Sequence, residues 1–185
     1  MWIKVETEIM ISGTGGQGVI AAGEFLSEAL FRSGLEVMFT RSYGSEARGG
    51  SCRSEVVASD SEIYDLQLDK ADVLLVLSTA AFRKYQNRAR KDALMLVDSA
   101  VLENIGEDEI RSDVDLKHLP ATDLAVELGN PIVANMVLLG ALAKLSDVVS
   151  IEELKKAVNE LMRPSMRDIN LKALATGYEN KFKGE

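Results

Sequence analysis

One cysteine, one histidine, one tryptophan and three prolines occur among 185 residues, and each scarcity removes a class of chemistry. Cys52 alone gives neither an intramolecular disulfide nor a cysteine-ligated zinc or iron–sulfur site within this chain. His118 alone gives neither a His-rich metal site nor a His-based catalytic triad, and no metal site or catalytic residue is expected. Basic residues are outnumbered, 21 Lys and Arg against 29 Asp and Glu, for a net charge of −8. That balance argues against nucleic-acid and anionic-membrane partners. No apolar run reaches the roughly 20 residues a membrane span needs. Met1 to Glu8 carries Lys4, Glu6 and Glu8 with no apolar leader core, so the cytoplasm is the expected compartment.

What remains is ordinary globular composition, 46% hydrophobic and 27% charged. A single domain is expected over residues 1–185, with a core over residues 8–178 and a charged tail over 179–185. Periodicity predicts strands at Val5–Ser12, Glu36–Arg41, Cys52–Ser59, Val73–Leu77, Leu94–Val97 and Val114–Leu119. It predicts helices at Gly18–Ser33, Ala80–Arg90, Thr122–Leu128, Val133–Leu145, from the cap Ser150 to Met162, and Asp168–Tyr178, with Arg163-Pro164 as a break. The second and third strands are too close for a helical crossover and should run antiparallel. The class is α/β: a Rossmann-like three-layer α/β/α domain with a mixed, mostly parallel sheet and a helical C-terminal part.

Two segments carry chemistry. Gly13-Thr14-Gly15-Gly16-Gln17-Gly18 joins the first strand to the first helix. Glycines there leave backbone N–H groups free at the positive end of a helix dipole, which suits a phosphate. A Walker loop is excluded, because no Gly-Lys-Ser/Thr follows. A dinucleotide fold wants Asp or Glu at the end of the second strand, but that strand ends in Thr40-Arg41. NAD is disfavoured, whereas Arg41 leaves NADP or another phosphorylated adenine nucleotide open. Packing alone is the competing explanation of the glycines.

The second segment, Ser42-Tyr43-Gly44-Ser45-Glu46-Ala47-Arg48-Gly49-Gly50, sets charges between glycines beside an aromatic anchor. Such a loop suits an interface or an active-site lid. Cys52 and His118 have no catalytic partner nearby in sequence and are read as structural. Asn130 and Asn135 flank Pro131, either as turn and cap residues or as amide donors to a ligand at the carboxyl edge of the sheet. Asp98-Ser99 falls at the same edge.

Together, Gly13 to Val19, Ser42 to Gly50, Pro120-Ala121-Thr122 and Leu128-Gly129-Asn130 to Asn135-Met136 resemble the gamma subunit of 2-oxoacid:ferredoxin oxidoreductases, over about Glu8 to Tyr178. Ser45 stands where that family usually has proline. The stretch Ala47 to Ser51 is most similar to the 2-oxoglutarate branch, and pyruvate, branched-chain and indolepyruvate enzymes share much of it. The resemblance implies a subunit, inactive alone, of a complex that oxidatively decarboxylates a 2-oxoacid to an acyl-CoA. It implies alpha and beta partners, a ferredoxin-like delta subunit or domain, and ferredoxin as electron acceptor. Thiamine diphosphate, magnesium and iron–sulfur clusters are implied on the partners, and no cofactor on this chain. Coenzyme A is implied as the substrate this subunit helps to bind. The candidates for that contact are Gly13, Gly15, Gly16, Gln17, Gly18, Arg41, Asn130 and Asn135. Ser42, Tyr43, Gly44, Glu46, Arg48, Gly49 and Gly50 form the candidate active-site loop or interface.

Overall fold

A computed structural model describes residues 6–43, 50–64 and 67–182. Six strands form one sheet: β1 (Glu6–Thr14), β2 (Glu36–Ser42), β3 (Ser51–Ser59), β4 (Ala71–Val76), β5 (Ala89–Asp98) and β6 (Asp115–Leu119), in the order β2-β3-β1-β4-β5-β6. β1, β4, β5 and β6 pair in parallel, and β3 runs antiparallel to both β1 and β2. Five strands therefore point one way and β3 alone opposes them. This bears out the mixed, mostly parallel sheet and the antiparallel β2–β3 pair.

The central strands are apolar throughout because both faces are covered. Ile9, Ile11, Leu75 and Leu96 turn to one face. Met10, Leu74, Val76, Met95 and Val97 alternate onto the other, as the period of two in a strand requires. The first face carries α1 (Val19–Arg32), α4 (Ala121–Glu127), α5 (Ala134–Leu145), α6 (Ile151–Leu161) and α7 (Pro164–Glu179). The second carries α2 (Thr79–Tyr85) and the short α3 (Ser99–Leu102), anchored by Phe82 and Val101. Three layers result, one of them two helices deep.

That depth explains α5. Every residue from Ala134 to Leu142 is buried, so the helix is apolar all round rather than along one stripe. It lies between the sheet and α7 and crosses α7 through glycines. A Cβ on Gly140 would lie 2.0 Å from Leu174 O, and one on Gly177 would lie 1.9 Å from Val137 O.

Two expectations fail for physical reasons. The helix expected over Ala80–Arg90 ends at Tyr85, residues 86–88 make one 3-10 turn, and β5 begins at Ala89. Extended backbone there lets Arg90 donate to Asp72 Oδ1 at 2.7 Å and pair with buried Glu8. The last helix starts at Pro164, not Asp168. The break at Arg163-Pro164 is present, and because proline has no N–H to lose at the first helical position, Pro164 itself opens the next helix.

Arg83 ties α2 to the segment before β6, donating to Glu109 through Nε and Nη2 at 2.8 and 3.0 Å. These bonds, with one from Gly106 N–H, hold the Glu109 carboxyl down at about 2 from its ordinary 4.5. A depressed carboxylate pKa contributes stability above the unfolded value, and that contribution is lost as pH falls toward 2. Carbon-13 titration should therefore place the Glu109 inflection near 2. Arg83→Gln should return it to the ordinary range, and an unmoved inflection would show that Arg83 is not its cause.

Candidate functional site

The glycine turn closes β1 and opens α1 at the carboxyl edge of the sheet. Helix α1 has Gly18 as its N-cap, in the left-handed conformation at φ +68°, and no side chain caps it. The first intrahelical bond runs from Ala22 N to Gly18 O, at 2.9 Å. The N–H groups of the first turn consequently have no helical acceptor. Gly15 and Gly16 are exposed, and a Cβ on either would meet nothing within 4 Å. The other two glycines of the turn are packed. A Cβ on Gly13 would press on Gln17 and Val19, and one on Gly18 would lie 2.4 Å from Asn135 Nδ2.

Gln17 clamps the turn. Its Oε1 accepts from Thr14 N at 2.7 Å and Thr14 Oγ1 at 3.0 Å, while its Nε2 donates to Leu77 O at 2.7 Å. Asn135, 5% exposed, donates through Nδ2 to Gly18 O at 2.8 Å and accepts from Met136 N through Oδ1. Sequence reasoning left Asn135 open between capping and ligand binding. The structure spends its amide on fixing Gly18. Asn130 caps the 3-10 turn at Pro131–Val133, its Oδ1 accepting from Ile132 N at 3.1 Å.

β1 lies between β3 and β4, and its crossover through α1 departs to one side while that of β4 through α2 departs to the other. Open α/β sheets bind ligands at such a reversal, outside the carboxyl ends of the strands. A cleft of about 210 Å³ opens there, lined by Gly16, Gln17, Leu77, Thr122, Pro131, Ile132 and Ala134. Thr122 of this lining is held by Asp98, which is 1% exposed. The Asp98 carboxylate accepts from Ala100 N, Thr122 N and Thr122 Oγ1 and so joins the end of β5 to the start of α4. Next to it Ser99 Oγ meets His118 Nδ1 at 2.9 Å.

The other candidates separate. Arg41 sits on β2, the edge strand, paired with Glu24 of α1 at 3.5 Å and more than half exposed. Because β3 intervenes between β1 and β2, Arg41 is about 10 Å, two strand spacings, from β1. The dinucleotide rule relating the glycine turn to the end of the neighbouring strand does not apply to this sheet. Ser42 closes β2 opposite Arg53, Tyr43 is 67% exposed, and Gly50 immediately precedes β3. Gly44, Glu46, Arg48 and Gly49 lie outside the described residues. Cys52 is buried, and burial pushes its thiol up, away from the reactive thiolate.

Sequence reasoning missed a polar cluster on the α2 face. Tyr85, at the end of α2, lies beneath Arg53 and Lys84, whose charges stand 5.6 and 5.3 Å from its ring centroid. Burial would raise the Tyr85 phenol, but hydrogen bonds from Ser51, Arg53 and Lys84 and the Lys84 charge outweigh it and lower the pKa. Only an aromatic at the end of a helix, preceded by the basic pair Arg83-Lys84, signals this in the sequence.

The chain is similar to known proteins along nearly its whole length. The sequence matches the pyruvate ferredoxin/flavodoxin oxidoreductase family over residues 8–180. The 2-oxoglutarate synthase subunit KorC of Methanocaldococcus jannaschii is 40% identical over 179 residues, covering 96% of this chain and 95% of that one. The gamma subunit of a keto/oxoacid ferredoxin oxidoreductase from Geobacter sulfurreducens superposes with a TM-score of 0.82 at 34% identity, over 94% of this chain and 95% of its own. The 2-oxoglutarate:ferredoxin oxidoreductase of Magnetococcus marinus, solved with 2-oxoglutarate, coenzyme A and succinyl-CoA bound, superposes with a TM-score of 0.84 at 28% identity. That match covers 95% of this chain and 31% of the Magnetococcus chain. With its mixed six-stranded sheet and glycine turn, this chain belongs to the pyruvate ferredoxin/flavodoxin oxidoreductase family.

Proposed function

We propose that this chain is the gamma subunit of a 2-oxoglutarate:ferredoxin oxidoreductase and that its glycine turn binds a phosphate of coenzyme A. The observation that carries the reading is the uncapped start of α1 beside Gly15 and Gly16, both open to solvent, at the reversal point of a sheet whose relatives include 2-oxoglutarate synthase subunits. Free N–H groups and the helix dipole offer a phosphate several charge-assisted bonds. Gln17 and Asn135 hold those donors in place, so little ordering remains to be done when the ligand arrives. The cleft beside Pro131 accepts the uncharged part of the ligand, and the subunit helps to close the active site and exclude water. In this reading alpha and beta subunits carry thiamine diphosphate and magnesium, iron–sulfur clusters sit on a delta subunit or domain, and ferredoxin takes the electrons. Those groups supply the decarboxylation and electron transfer. This chain, inactive alone and working in the cytoplasm, positions coenzyme A and supports assembly.

Gly15→Val tests the reading, because the added side chain meets open space and leaves the turn intact while crowding the exposed N–H groups. In the assembled complex the KM for coenzyme A should rise about tenfold or more, equivalent to about 1.4 kcal/mol of lost binding. Thiamine diphosphate content and subunit stoichiometry should not change. An unaltered KM in a fully assembled complex would mean that the glycines serve packing alone, as Gly13 and Gly18 do.

A further inference from the structure

The geometry points to a second anion-binding site on the α2 face, formed by Ser51, Arg53 and Lys84 over the phenol of Tyr85, that takes a tetrahedral oxyanion of the phosphate type. It is separate from the glycine turn, which sends its helix to the opposite face. Ser51 is the register partner of Thr14, so the site stands one strand away along the same edge of the sheet.

The donors already converge. Lys84 Nζ donates to Ser51 Oγ at 2.7 Å, and Ser51 Oγ lies 3.4 Å from Tyr85 Oη. The Arg53 guanidinium covers the same ring from the strand side. Tyr85 is 4% exposed and forms the floor, Arg53 is partly exposed, and Lys84 reaches into solvent at the rim. Charge is also uncompensated. Arg53 and Arg88 share one carboxylate, Glu55, at 2.9 and 3.3 Å. Among the described residues no carboxylate pairs with Lys84. Arg53, Lys84 and Arg88 against Glu55 leave a local excess of two positive charges in a chain whose net charge is −8.

The donor set discriminates between anions. A planar carboxylate is best met by a guanidinium fork, but Arg53 already gives its Nε to Glu55. An ammonium, the outer guanidinium nitrogens and a hydroxyl approach from different directions, which suits a tetrahedral oxyanion of charge near −2. At present the phenol oxygen is the acceptor on which these donors close, and the depressed Tyr85 pKa reports their convergence.

The test is NMR of the full chain carrying carbon-13 in its tyrosine rings, with Tyr85→Phe to assign the signal. Inorganic phosphate should move the Tyr85 resonance saturably, beyond chloride at matched ionic strength. Lys84→Gln, a rim substitution that leaves the core untouched, and Arg53→Gln should each weaken the phosphate affinity about tenfold or more, as loss of a charge-assisted bond implies. The response should survive Gly15→Val, so that failure of this site and failure of the glycine-turn reading are told apart. Adenosine 3′,5′-bisphosphate binding much tighter than phosphate would assign the site to a phosphate on a nucleotide, and equal binding to free phosphate. A Tyr85 signal that follows chloride and phosphate alike, or saturates equally well in Lys84→Gln, would overturn the site.

Discussion

Gly177→Ala should lower the melting temperature by about 4–8 °C, corresponding to a net loss of about 2 kcal/mol or more. Two effects oppose each other at this position. Alanine is the better helix former by about 1 kcal/mol, and Gly177 lies well inside α7. Against that, its Cβ would lie 1.9 Å from the carbonyl oxygen of Val137 and 3.0 Å from Ala141 N. Both are backbone atoms of α5, which cannot turn aside as a side chain would. Gly140 makes the reciprocal approach to Leu174 and Tyr178, so the two helices touch backbone to backbone. Separating them opens the core around a helix buried on all sides, and overpacking of this kind costs about 3 kcal/mol or more. The steric effect wins. Thermal unfolding monitored by circular dichroism decides it: a melting temperature unchanged or raised would show that α5 and α7 stand further apart than described.

Gly18→Ala should cost about 2–3 kcal/mol, by a different route. A side chain at φ +68° pays for the left-handed conformation, and its Cβ would lie 2.4 Å from Asn135 Nδ2. The amide must move and surrender its bond to Gly18 O. Asn135→Ala removes the obstacle together with the bond, so the double variant should lose less than the sum of the singles, with a coupling above about 0.5 kcal/mol. Strict additivity in denaturant unfolding would mean that the two residues do not touch. The same displacement shifts the first turn of α1, so the Gly18 variant should also bind coenzyme A poorly in the complex. Gly15→Val shares that defect without the loss of stability.

Local signals carried much of the fold. Gly34 after α1 and Gly129 after α4 both adopt the positive φ expected of helix-ending glycines. Ser150 caps α6 as the pattern implies. The antiparallel β2–β3 pair followed from the short connection. What escaped was set by partners distant in sequence. Nothing local distinguishes Ala89 and Arg90 from the helix before them, and partners distant in sequence, Ala71 and Arg111 on Ala89 and Glu8 and Asp72 on Arg90, make that stretch a strand. Pro164 reads as a break between helices, and the sequence does not show that it also opens α7. At the site the glycine turn was legible, because a turn between strand and helix is a local event. The work of Asn135 was not, since its partner Gly18 lies 117 residues away. The Tyr85 cluster joins a helix end to a strand 33 residues earlier, and no periodicity announces it.

The reversed β3 has a consequence for how such a chain can vary over evolutionary time. Because β3 alone runs against the others, Ser42 and Ser51, the two stems of the connection between β2 and β3, lie at the same edge as the ends of β1, β4, β5 and β6. Both of its stems are pinned by sheet registry, Ser42 to Arg53 and Ser51 to Thr14. Lengthening a connection between fixed ends costs little, about 0.6 kcal/mol for each doubling. Insertions and deletions can therefore accumulate at that edge of the sheet without disturbing a single strand pairing, and the surface there can drift while the scaffold beneath it stays the same.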